Sequence, residues 1–435
     1  MSPGGFSQVP SPQQEQQAQD MNMSIKPLHL GLASVGLGIG FTLPSIASAE
    51  FLEDSKAELE LRNFYFNGDY RQEDANQSKR EEWAQGFLLR YQSGFTQGTV
   101  GFGVDALGLL GVKLDSGQDR QNSGLLPVGD DGAPDDYSRV GATAKARVAN
   151  STLRFGTLIP RLPTVQPNNS RLLPQTFQGT QLTSKDIDDL TLNIGRLTEN
   201  NLRNSSGGDK LAASGSGLSG RQDTDTFDFF SASYKWSKAL TTGYSYAHLD
   251  ANYKQHIFNL SHDQPFGKNQ ALKSDIRYAR STDDGATNVD NNAFGAKFTY
   301  SFGFHALGAA YQKMSGGTGF PYLQGTDPFL VNYVMLSPDF ANPDERSWQV
   351  RYDYDFAGLG IPGLSFMTRY LRGDNFELAN GATREWERDT DIQYSFQSGA
   401  LKNLAVRWRN GTYRSGGDQD IDQNRLIVSY TIPLL

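Results

Sequence analysis

The sequence predicts an all-β protein, a single antiparallel transmembrane β-barrel of 18 strands with an inward-folded third loop. Three observations point there. An export segment precedes the bulk of the chain. Period-2 alternation recurs in segments of about ten residues. Long connections alternate with tight turns. The composition agrees. The 435 residues have a mean hydropathy of −0.53, and no stretch after the export segment offers the ~20 apolar residues that a membrane helix needs. A net charge of −8 speaks against a general nucleic-acid binder. With no cysteine, the chain has no thiolate metal ligand, no thiol nucleophile and no disulfide.

Residues 23–49 read as a secretory signal peptide. Lys26 supplies the positive start, Leu28 to Leu43 the apolar stretch, and Ala47-Ser48-Ala49 the small-residue cleavage site. Residues 1–22 are read as an unstructured extension, Gln- and Pro-rich over most of their length. The barrel is expected over 50–435, with Glu50 as the mature N-terminus.

Seventeen alternating segments follow, starting near residues 57, 82, 96, 139, 151, 189, 224, 239, 252, 270, 291, 304, 346, 363, 384, 403 and 424. In one, Phe294, Ala296, Phe298, Tyr300 and Phe302 share a face opposite Gly295, Lys297 and Thr299. In another, Val406 and Trp408 oppose Arg407 and Arg409. An apolar row suits lipid and a polar row suits a wet lumen. An odd count conflicts with both termini lying in the periplasm. Long loops at 68–81, 109–137 and 160–188, counted forward, make the strand near 189 descend. Counting backward from 415–423 through 315–345 makes the strand near 224 descend too. One rising strand is therefore expected within 199–223, which brings the total to 18.

An Arg or Lys facing lipid at the midplane costs ~2–4 kcal/mol. Parity therefore turns Arg62, Arg90, Lys145, Arg147, Arg154, Lys273, Arg277, Lys297, Arg351, Arg369, Arg407 and Arg409 inward. The inward acids, among them Glu58, Glu60, Asp105, Asp275, Asp353, Asp389 and Asp391, are expected mostly on other strands, facing a basic strip. Such a strip offers anions closely spaced weak sites, and the planar guanidinium fork suits carboxylates. The same charges would also serve as solvated pairs that steady the wall. The 160–188 loop carries four prolines between Pro160 and Pro174, which stiffen it. It is expected to fold into the pore with Arg171 and Phe177 near the narrowing. The 315–345 loop brings Tyr322 and Asp327, with aromatic rings able to stack on a ring-bearing solute.

Several segments resemble the OprD family of substrate-specific outer-membrane porins. They include Phe51-Leu-Glu-Asp-Ser-Lys, Leu61-Arg-Asn-Phe-Tyr-Phe-Asn, Trp83-Ala-Gln-Gly-Phe, Ser170-Arg-Leu-Leu-Pro-Gln-Thr, and Tyr352-Asp-Tyr-Asp-Phe with Pro362-Gly-Leu. The match runs from Phe51 to Leu435, although the Ile432-Pro-Leu-Leu435 end departs from the terminal Phe of many outer-membrane proteins. The resemblance implies a monomer or weak oligomer in the Gram-negative outer membrane. It also implies a basic ladder that guides small carboxylate-bearing solutes, aromatic or other small monocarboxylates, past two inward loops. The expected partners are small organic anions, outer-membrane lipid and lipopolysaccharide, and the barrel-assembly machinery, with no nucleic acid. No cofactor and no metal are expected. The alternatives are a channel for basic amino acids or small peptides and, less favoured, a barrel lipase or protease. Ser261-His262-Asp263 is contiguous, whereas a catalytic triad needs neighbours in space rather than in sequence.

Overall fold

The computed structural model describes residues 51–71, 77–336, 340–377, 381, 383–415 and 420–435. The expected signal peptide and the extension before it lie outside these residues. Eighteen strands form one antiparallel sheet. In chain order they are β1 (Lys56–Tyr70), β2 (Lys79–Gln92), β3 (Gly101–Ser116), β4 (Asp136–Val148), β5 (Ser151–Leu158), β6 (Thr176–Ser184), β7 (Leu190–Asn201), β8 (Phe227–Lys235) and β9 (Leu240–Leu249). The second half holds β10 (Tyr253–Pro265), β11 (Gln270–Asp283), β12 (Asp290–Phe302), β13 (His305–Ser315), β14 (Arg346–Asp355), β15 (Leu364–Asp374), β16 (Arg384–Ser395), β17 (Leu404–Ser415) and β18 (Ile421–Pro433). The ring closes where β1 pairs with β18, from Glu58 opposite Pro433 to Tyr70 opposite Ile421. Closure removes the sheet edges, so backbone polar groups find partners without water.

Alternation sorts the side chains by solvent. Phe102, Val140, Phe155, Phe258, Phe298, Leu307, Val350 and Trp408 are exposed on the lipid side. The opposite parity holds Arg62, Lys145, Arg277, Arg369 and Arg425, all buried in the interior.

The total of 18 agrees with the parity argument, but the hidden strand lies elsewhere. It is β6, inside the stretch read as one loop over 160–188, and it pairs with β5 through Leu153 opposite Leu182. β7 therefore rises rather than descends. Residues 202–226 form a mouth loop in which Ala213–Ser214 pair with Tyr322–Leu323 of the 316–345 loop, beside single bridges at Asp209 and between Leu211 and Thr224. The physical reason is composition. Parity with Leu182 puts Gln178, Thr180 and Ser184 on the lipid row, so this row holds one large apolar residue. A register shift between Gln178 and Gly179 breaks the pattern further.

The apolar core gathers at the mouth, where the loops fold back inside. Leu172 and Leu173 of the 159–175 loop, with Leu125 and Leu126 of the 117–135 loop, pack on Phe64, Phe66, Ala84 and Leu88 of β1 and β2. Leu162, Val165, Leu211 and Leu323 pack with Phe177, Phe229, Ala247 and Tyr253. Phe320, Leu330 and Ala341 pack on Ile257, Ala279, Ala293 and Met314. Each fully buried Leu or Phe contributes ~1.5–3 kcal/mol, enough together to hold long loops in one arrangement.

Candidate functional site

The 159–175 loop folds inward onto β1 and β2. A turn bridged by Leu162 and Val165 sends the chain across the lumen towards β1. There Arg62 receives it: Nη1 donates to Asn169 Oδ1 at 3.0 Å and to the Arg171 carbonyl at 2.8 Å. Its Nη2 lies 2.7 Å from Glu60. Arg62 thus fastens the loop to the wall.

Arg171 then stands over the Phe66 ring at 5.1 Å, with Nε donating to the Ser123 carbonyl. Arg171 and Arg203 both donate to Ser170 Oγ at 3.2 Å. Arg425 of β18 approaches the same Phe66 ring at 5.8 Å and donates to the Met335 carbonyl. Three guanidiniums therefore meet around one serine and one phenylalanine. None has a carboxylate within ion-pair distance among the described residues. Burial, and then the Arg425 and Arg203 charges, pull Arg171 well below the usual guanidinium value. Burial lowers Arg203 likewise.

Asp327 joins the two inner loops. Its Oδ1 accepts from Asn168 Nδ2 and from the Tyr333 hydroxyl, each at 2.5 Å, and its N–H donates to the Gln166 carbonyl. Burial raises its carboxyl pKa, against the pull of these donors and of Arg203. Tyr322 lies on the short ladder with Ser214. Phe177 is not in the loop at all. It sits on β6, fully buried in an apolar cluster with Leu162, Leu197 and Phe227.

Val331 and Met335 of the 316–345 loop approach the wall closely because glycines clear their path. A Cβ on Gly295 would come within 2.8 Å of Val331, and one on Gly411 within 2.6 Å of Met335. Below it runs the basic ladder. Arg277 stacks on Phe329 at 3.9 Å and pairs with Asp275 at 2.6 Å, with Lys297 4.0 Å from the same carboxylate. Arg351 pairs with Asp353 at 2.6 Å, and Arg369 with Asp389 at 2.7 Å. Arg407 and Arg409 share Asp391 at 2.7 and 3.0 Å. The acids expected to face the strip from other strands sit within it. Antiparallel register places Asp275 opposite Lys297 and Asp391 opposite Arg409. The ladder is thus a belt of partly neutralised cations rather than a bare basic strip facing acids on other strands. Lys297, Asp275, Arg351 and Asp353 also line a cavity of about 560 Å³ that reaches the short turns at Gly267 and Gly303.

A second basic group lies on β2, β4 and β5. Arg90 contacts Glu58 and Glu60, each at 3.0 Å. Lys145 is held by Asp105 at 2.6 Å and by the Ser93 carbonyl. Arg147 stacks on Phe95 at 4.3 Å. Arg154 lies opposite Lys145 in register and has no ion pair among the described residues.

Residues 49–434 match the outer membrane porin, OprD family. The chain belongs to the OprD family. Its relatives include the porin-like protein GalP of Pseudomonas putida, 38% identical over 404 residues that cover 91% of this chain and 96% of GalP. Among solved structures, Pseudomonas aeruginosa OpdQ is 58% identical with a TM-score of 0.82, covering 89% of this chain and all of OpdQ. Pseudomonas aeruginosa OpdK, solved with vanillate, is 40% identical with a TM-score of 0.82, over 88% of this chain and all of OpdK. This OprD-family member is accordingly a substrate-specific channel of the Gram-negative outer membrane and not an enzyme.

In this OprD-family member two cations gathered beside Arg171, namely Arg203 and Arg425, fall outside the ladder read from the sequence. Arg425 was within reach of parity, since Leu426 beside it faces lipid. Arg203 carries no such signal, because the sequence places its segment in a strand that the fold does not have.

Proposed function

We propose that this porin passes small monocarboxylates, aromatic ones among them, along its guanidinium-lined route. The observation that carries the reading is the trio Arg171, Arg203 and Arg425, gathered at the narrowing with no carboxylate partner among the described residues. A solute carboxylate can supply the missing anion there. It then meets the belt of Arg277, Lys297, Arg351, Arg369, Arg407 and Arg409, where Asp275, Asp353, Asp389 and Asp391 keep each step shallow. Such a series fits conduction, which needs binding firm enough to admit and weak enough to release. The rings of Phe66 and Phe329 bring aromatic surface beside the cations. Vanillate in the related OpdK supports an aromatic acid.

Single-channel recordings in planar bilayers test this. An aromatic monocarboxylate such as benzoate is expected to block the current at lower concentration than the matching primary alcohol or an arginine-bearing solute. Stronger block by the basic solute would favour a channel for basic amino acids instead.

A further inference from the structure

On the outer face of the barrel, at the mouth end, several strands pair their cations with acids. Arg280 meets Asp290 at 2.5 Å, Lys254 meets Asp284 at 2.7 Å, Lys79 meets Glu81 at 2.5 Å and Arg414 meets Asp422 at 3.0 Å. Four adjacent strands differ. Lys313 of β13, Arg346 of β14, Arg372 of β15 and Arg388 of β16 are exposed. None of them has an ion pair or a side-chain hydrogen bond among the described residues. Asp374 lies opposite Arg346 and also opposite Arg384, and is joined to neither by an ion pair.

Parity puts the four cations on the lipid side. Lys313 follows Leu307 and Tyr311, Arg346 precedes Trp348 and Val350, and Arg388 precedes Ile392, all of them exposed apolar or aromatic residues. The register then forms a row. Lys313 is directly opposite Arg346, Arg372 is diagonal to Arg346, and Arg388 is diagonal to Arg372. Like charges facing across strands are destabilising, and an anion laid along the row offsets that repulsion. Rings fill the places between. Tyr311 is opposite Trp348. The Trp348 and Tyr370 rings lie 5.6 Å apart, and Tyr370 stacks with Trp386 at 5.7 Å. Such an aromatic girdle marks the headgroup level of a barrel, and Leu307, Val350 and Ile392 continue the wall towards the membrane interior.

We propose that this sector of the rim binds a phosphorylated glycolipid of the outer leaflet, with its phosphates on Lys313, Arg346, Arg372 and Arg388 and its acyl chains along the rings and the aliphatic wall. The guanidinium fork matches phosphate oxygens two at a time. A free phosphate would use the cations and leave the rings and the wall bare. The surface calls for phosphates and acyl chains in one molecule, which is the chemistry of lipopolysaccharide.

Native mass spectrometry of the purified porin in detergent reads this, with lipid A and its dephosphorylated form as the two probes. The wild type is expected to bind the phosphorylated form about tenfold more tightly, and inorganic phosphate should not displace it. Changing Arg346, Arg372 and Arg388 together to Gln should abolish the preference, whereas Arg280→Gln, on the same rim outside the row, should keep it. An unchanged single-channel conductance shows that the triple variant is folded, and Arg372→Gln alone should lower the preference severalfold if it is not. Equal affinity of the wild type for the two probes, a preference that survives in the folded triple variant or in Arg372→Gln, an equal loss in Arg280→Gln, or displacement by inorganic phosphate would overturn the proposal. The readout is lipid binding on the outer wall, so it stands apart from which solute the porin takes.

Discussion

Arg407 and Arg409 share the single carboxylate of Asp391, and this sets what their loss does. A charge-assisted contact to a carboxylate contributes ~1.5–3 kcal/mol when desolvated, and a wet pore reduces this to ~1 kcal/mol. Changing both arginines to Gln should weaken carboxylate block by about tenfold. It also leaves Asp391 uncompensated in the lumen, so the reversal potential should move towards cation preference. Adding Asp391→Asn should bring much of that potential back without restoring block. Both effects should shrink as salt shortens the Debye length. Unchanged selectivity and block in the double variant at low salt would remove the belt from the transport route. Parity in the sequence was enough to place these arginines inside. It could not pair them, because Asp391 lies on another strand and the register between strands follows from closure of the barrel. Arg62 shows the same limit more sharply: besides nearby Glu60, it holds main-chain carbonyls up to 110 residues away, invisible to any pattern of side chains.

The two inner loops act as one element because Asp327 ties them. Its Oδ1 takes both the Asn168 and the Tyr333 donors, so the two possible truncations differ. Asp327→Asn keeps an acceptor oxygen and removes the charge near Arg203. It should leave the loops in place and strengthen anion preference. Asp327→Ala removes both hydrogen bonds, each worth ~1 kcal/mol, and should raise open-channel noise. Paired recordings of the two variants check this, and equal noise in both would show that the clasp does not hold the loops. The stiff proline run is legible in sequence, and Arg171 with it, whereas Arg203 is not. The end of the loop was not. Pro160 to Pro174 read as the start of a long loop, and β6 beyond it lacked the apolar lipid row by which strands are recognised. For that reason the sequence places Phe177 in the loop. In the fold it sits among Leu162, Leu197 and Phe227, behind the surface that a solute meets.

At the scale of the whole molecule, the position of β6 decides which side of the membrane each connection faces. Both arguments for 18 strands leave the termini in the periplasm, yet they disagree over one stretch. With the hidden strand in 199–223, the residues near 198 would turn in the periplasm and those near 186 would belong to an external loop. With β6 at Thr176–Ser184, the connection 185–189 is a periplasmic turn, and 202–226 is an external loop stitched to the 316–345 loop. The absence of cysteine makes this directly measurable. Asp188 and Ser206 are both exposed, so a single cysteine at either disturbs little; surface substitutions of this kind are usually within about 0.5 kcal/mol. On intact cells, a thiol reagent too bulky for the pore should label Ser206→Cys and spare Asp188→Cys. Once the outer membrane is permeabilised, both should react. Labelling of Asp188→Cys on intact cells, with Ser206→Cys protected, would reverse the direction of β7 and return the missing strand to 199–223. The same outcome would take Arg203 out of the external loop, and with it one of the three guanidiniums that gather at the narrowing.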